Sequence, residues 1–141
     1  MVAVRLRFAV NLVNLSTPLG LLVAGLGRAR IVRGPDALLL ATDYRARVPA
    51  PNAPAVTIGN VVLLRMSEAA ATSHPTLLRH EGRHASQYAW WIGPFGFLPA
   101  YLVASVWSWA HTRNFALRNA FEVRAGLVDG GYLPPPPDQP V

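Results

Sequence analysis

The segment SHPTLLRHEGRHASQYAWWIGP, residues 73–94, decides how the chain is read. Ser73-His74 followed by Pro75 is a helix start, because proline suits the first helical position, and Gly93-Pro94 is a stop. Between them Leu77, Leu78, Ala85 and Ala89 recur at helical spacing, so one helix is expected to about Trp91. On it stand His80, Glu81 and His84, in the pattern H-E-x-x-H. Residues four apart share a helix face, so the two imidazoles converge on one point where a metal ion can be held. Glu81 projects beside them. A carboxylate there can take a proton from water that zinc has made acidic, as carbonyl hydrolysis requires.

A catalytic zinc usually has a third protein ligand and keeps one position open. Downstream of His84 the candidates are His111, Glu122, Asp129 and Asp138. Asp138 stands in a proline-rich tail and is a poor choice. Glu122 falls within RNAFEVRAGLVDGGY, where most neighbours are apolar, and a carboxylate on a half-buried helix needs a partner such as a metal. Its competing role is an exposed glutamate paired with Arg118 four residues earlier. His111 ranks behind Glu122.

The wider composition limits the chemistry. The 141 residues fit one domain with one core. With no cysteine in the chain, disulfides, thiolate metal sites and cysteine nucleophiles are excluded, so any metal is held by nitrogen and oxygen. Charged residues make up 14% and hydrophobic residues 52%, against roughly a quarter charged in ordinary soluble domains. That balance favours contact with a membrane or an unusually large core. The net charge of +6 comes from thirteen arginines and no lysine. They are scattered from Arg5 to Arg124 without interleaved aromatics, so a nucleic-acid partner is not expected. Attraction to an anionic membrane surface accounts for them better.

Along the chain, residues 1–29 form an apolar helical segment. It has the outline of a signal peptide, but Asn11, Asn14, Ser16, Thr17 and Pro18 interrupt it and no small-residue cleavage site follows, so retention is expected, with a break near Pro18. Two β-favouring runs flank Gly34-Pro35-Asp36 and predict a hairpin. VPAPNAPAV reads as a loop. AVTIGNVVLLR, residues 55–65, reads as one strand with a bulge at Gly59-Asn60. Residues 88–110 carry no charge, and Gly93-Pro94, Gly96 and Pro99 divide them into pieces. Trp90, Trp91, Trp107 and Trp109 mark the two ends of that run, a placement that suits membrane interfaces and core packing alike. A spanning helix, an interfacial hairpin and a buried helix pair all fit it. A last helix is expected from Thr112 to Asp129, ended by Gly130-Gly131. Residues 1–133 are read as the domain and 134–141 as a proline-rich tail.

HEGRHASQY, GPFGFLPAYL and NAFEVRAG together resemble the gluzincin clan of zinc metallopeptidases, in particular its minimal single-domain members, the minigluzincins, over about residues 54–132. The resemblance implies an α+β fold of zincin type, with a small sheet of about three strands and four helices, among them the H-E-x-x-H helix and a glutamate-bearing helix. It implies His80, His84 and Glu122 as zinc ligands, Glu81 as general base, and a peptide or protein substrate pairing with the strand AVTIGNVVLL as an edge. Larger gluzincins often carry an aspartate four residues after the ligand glutamate, where it supports a histidine. Gly126 stands there in this chain, which leaves Asn119 or Asp129 for that role. His111, Tyr101 and Tyr132 are the candidate donors to a developing oxyanion, and Gln87 and Tyr88 lie one turn past His84.

Two function classes follow. One is a zinc metallopeptidase, cytoplasmic or associated with the cytoplasmic membrane of a bacterium. The other is a membrane-associated scaffold or inactive relative with a structural metal. Loss of hydrolysis on changing Glu81 to Gln separates them.

Overall fold

A computed structural model describes residues 2–137 and shows an α+β fold of six helices and a four-stranded mixed sheet. Helices α1 (Val2–Val13) and α2 (Ser16–Leu26) precede strands β1 (Arg30–Arg33) and β2 (Leu39–Thr42). Strands β3 (Ala55–Ile58) and β4 (Val61–Leu64) follow, and then helices α3 (Glu68–Thr72), α4 (Pro75–Trp90), α5 (Pro94–Thr112) and α6 (Ala120–Ala125).

The strand order is β1-β2-β4-β3. β1 pairs antiparallel with β2, as the hairpin reading expects, and β2 runs parallel to β4 with Leu40 opposite Val62. The expected single strand 55–65 is two strands. Gly59-Asn60 is a two-residue hairpin turn, with Ile58 opposite Val61 and Ala55 opposite Leu64. Gly59 adopts φ 64°, a backbone that glycine takes without penalty at the first central position of such turns. A bulge was expected there because apolar β-branched residues run through both halves. That run is continuous because β4 is buried on both faces. Val61 and Leu63 face a core with Ala24, Tyr44, Tyr88, Phe97 and Phe121, whereas Val62 and Leu64 face Leu38, Leu40, Leu78 and Ala85. The edge position passes to β3 alone.

Other boundaries also differ from expectation. The N-terminal break lies at Asn14-Leu15, with Leu15 in the left-handed region at φ 69°, and Pro18 sits in the first turn of α2. Proline is tolerated there because that N–H has no helical partner. α5 is continuous through Gly96 and Pro99, so the uncharged run is broken only at Trp91–Gly93. The expected helix 112–129 shrinks to Ala120–Ala125. Arg113 is left-handed at φ 58° and ends α5. Asn119 caps α6 by accepting from the Phe121 N–H, and Gly126 at φ 95° ends it. Among the described residues no single helix is long and apolar enough to cross a membrane. Asp138 lies outside the described residues.

Candidate metal centre

α4 turns an unusual face inward. Leu78, Glu81, His84, Ala85 and Tyr88 are buried together with His80, so the polar pattern points into the protein. α6 crosses this face and delivers Glu122, 2% exposed. The Glu122 Oε2 atom lies 3.2 Å from His80 Nε2 and 3.4 Å from His84 Nε2. The two Nε2 atoms are 3.1 Å apart. His80, His84 and Glu122 thus form a buried group that can hold a metal ion.

Hydrogen bonds at the far side of each ring set the tautomers. The His80 Nδ1–H donates to the carbonyls of Ala125 and Gly126, at 3.1 and 3.0 Å. The His84 Nδ1–H donates to Gln87 Oε1 at 2.8 Å, and the Gln87 amide is fixed because its nitrogen donates to the Phe121 carbonyl. Both Nε2 lone pairs then face Glu122, whose Oε2 is buried with no donor aligned on it. Three electron pairs converging on one point are favourable ligands for a cation between them. Tetrahedral coordination at about 2.0–2.1 Å sets ligand atoms about 3.3 Å apart, close to the spacing found. The residues therefore fit a small divalent ion.

Glu122 and His84 also shift one another's titration. Burial disfavours the His84 imidazolium, but the adjacent Glu122 carboxylate, helped by Glu81, outweighs it and raises the His84 pKa. Burial likewise opposes ionisation of Glu122, yet the His80 and His84 rings that lie against it, together with the Tyr101 hydroxyl, hold its pKa far below the usual carboxylate range. The other Glu122 oxygen accepts from the Tyr101 hydroxyl, which burial keeps protonated by raising its pKa.

Glu81 stands beside the group. Its Oε2 accepts from Thr57 Oγ1 of β3 at 2.7 Å, so one carboxylate oxygen is fixed by the edge strand. A cavity of about 380 Å³ opens over these groups, lined by all of β3, by Phe97, Leu98, Tyr101 and Leu102 of α5, and by Tyr132. Pro49, Ala50 and Ala53 rim it from the loop between β2 and β3. Arg65 ties that loop down by donating to the carbonyls of Ala46, Arg47, Ala50 and Ala53.

Several expected residues lie elsewhere. His111 is exposed, bonds the Trp107 carbonyl and lies off the group, so it is neither ligand nor oxyanion donor. Asp129 pairs with Arg83 at 2.7 Å and Arg79 at 3.6 Å. Neither Asp129 nor Asn119 supports a histidine; backbone carbonyls at the end of α6 do so because Gly126 lets the chain turn across His80. Glu122 does not pair with Arg118, because α6 begins only at Ala120. Thr57, Arg65 and Gly130 were missed. Their contacts join segments far apart in the chain, and only the strand position of Thr57 left any signal. Comparison with protein-family models, curated proteins and solved structures finds no match to the chain.

Proposed function

We propose that the chain is a minimal zinc-dependent peptidase of gluzincin type, in which His80, His84 and Glu122 hold zinc. The observation that carries the reading is the buried, donorless Oε2 of Glu122 facing two imidazole lone pairs, with Glu81 at its side. Bound zinc supplies Lewis acidity and makes water nucleophilic near neutral pH.

The protein's own groups do the rest. Glu81 takes a proton on the oxygen that Thr57 leaves free and later gives it to the leaving amine, as a general base and then acid. Thr57 keeps the carboxylate from rotating away. β3 has only β4 as a strand neighbour and lines the cavity along its whole length, so an extended peptide can add to its free edge. Apolar side chains from β3 and α5 favour apolar residues flanking the cut bond. Tyr101 is committed to Glu122 and acts as a positioning residue. Tyr132 lines the cavity, and burial raises its phenol pKa, so it is a protonated donor for a developing oxyanion.

Glu81→Gln tests the reading. The variant is expected to keep its zinc and lose peptide hydrolysis by about 10²–10⁴-fold, measured on a mixed peptide library. Native chain that binds zinc and cleaves nothing, or a variant as active as the native chain, favours instead a scaffold with a structural metal.

A further inference from the structure

Three helices bury the wrong residues for a protein surrounded only by water. α2 turns Ser16, Thr17, Gly20 and Ala24 inward and leaves Leu21, Leu22 and Leu26 exposed. α1 buries Asn11 completely and exposes Leu6 and Leu12. α5 buries only Pro94, Phe97, Ser105 and Ser108 of its 19 residues. Its inward serines are bonded, Ser105 to Asn119 at 2.9 Å and Ser108 to the Asn114 carbonyl at 2.7 Å. Its outer side carries Phe95, Leu102, Val103, Val106 and Trp107, a stripe about 18 Å long at 1.5 Å per residue. Small and hydrogen-bonding residues inside with large apolar residues outside is how helices sort when lipid is the solvent.

The two helix elbows meet at one tip. α1 and α2 bend by 72° and α4 and α5 by 120°. Gly93 packs against the backbone of Asn14, whose amide donates to the Tyr88 carbonyl, so the elbows are side by side. There Val13 is 83% exposed, Trp90 85% and Ile92 80%. Ile92 is also left-handed at φ 58°, a strained backbone for a β-branched residue.

Charge marks the border of this surface. No acidic or basic residue other than histidine lies between Arg7 and Arg28, or between Arg83 and Arg113. All four bounding residues are arginines; Arg7 and Arg83 bond the protein's own carbonyls and Asp129, and Arg28 and Arg113 are exposed. Arg113 lies over the Trp109 ring at 4.6 Å, as a cation does at a headgroup level.

We propose that the chain docks on an anionic lipid surface, with the tip and the outer stripe of α5 seated in one leaflet and the exposed Arg28 and Arg113 at the headgroups. Among the described residues no single helix is long and apolar enough to cross, and both helix pairs bend sharply at the tip, a shape that suits an interfacial seat. Leu98 and Leu102 belong to this face and also line the cavity, which places the cavity mouth at the bilayer surface. The proposal is independent of metal or hydrolysis.

The test is flotation of the purified full chain, diluted from detergent onto vesicles of phosphatidylcholine with phosphatidylglycerol or of phosphatidylcholine alone. Lipid-free aggregates stay at the bottom of the gradient. The native chain is expected to float with the anionic vesicles, less so in high salt, and its tryptophans to be quenched by bromine-labelled lipid. The double variant Trp90→Glu, Ile92→Glu should bind at least about tenfold more weakly with unchanged circular dichroism. Native chain left at the bottom with both vesicle types overturns the proposal, including when it self-associates in solution, which would make a second copy the occupant. A folded variant that floats like the native chain also overturns it. If the variant does not fold, the bromine quenching of the native chain decides alone.

Discussion

Gly130 sets the tightest steric condition on the centre. A Cβ there would lie 2.6 Å from His80 Cε1 and 3.0 Å from its Nε2, so no side chain fits without moving the ring. Gly130→Ala is expected to weaken metal binding by about 10–100-fold, the usual cost of disturbing a ligand's support, measured by competition with a chromogenic chelator. Unchanged affinity would show that the ring has room to shift. The buried pair also has a pH signature after metal is stripped with chelator. The raised His84 pKa stabilises in full below its ordinary 6.5 and loses that effect as pH rises through the raised value. The lowered Glu122 pKa stabilises in full above its ordinary 4.5 and loses that effect as pH falls through the lowered value. The Tm difference between the native apo chain and Glu122→Gln should therefore be largest between 4.5 and 6.5. A difference that stays flat from about pH 5 to about pH 9 would contradict the pairing. At this scale His80, Glu81, His84 and Glu122 were legible, since helical spacing and a lone carboxylate among apolar neighbours need no tertiary knowledge. Gly130 was not, because its demand arises only once α6 has brought the chain back over α4.

The loop between β2 and β3 is the element most open to test. Tyr44 and Ala46 anchor its start in the core, and Arg65 on the neighbouring strand end holds four of its carbonyls. Hydrogen bonds from a charged donor contribute about 1.5–3 kcal/mol each at best, less where water competes. Arg65→Ala is expected to speed proteolytic cutting within residues 45–54 with the rest of the chain intact; cutting at the native rate would show that the loop holds itself. β3 and β4 illustrate what hid the elements. Gly59-Asn60 is an ordinary turn signal, but the apolar run on both sides masked it, because a strand covered on both faces loses its alternation. α6 was overdrawn for the opposite reason. Its apolar residues continue past Ala125, whereas the end of the helix is set by Gly126 and by the carbonyls that bond His80.

Across the whole molecule, the α+β class that the resemblance implied is found, although among the described residues the sheet has four strands and the helices number six. The low charge content and the uncharged runs make sense only together, as inward polar groups that include a cluster able to hold a metal ion, and outward apolar groups on three helices. The proposed function requires α4 and α6 to hold a divalent ion together in the buried site. Metal analysis of chain purified without chelator, together with His84→Ala and Glu122→Ala, is the decisive measurement. Stoichiometric metal, zinc above all, is expected in the native chain and its loss in both variants. Native chain free of metal, or variants that keep their full complement, would contradict it.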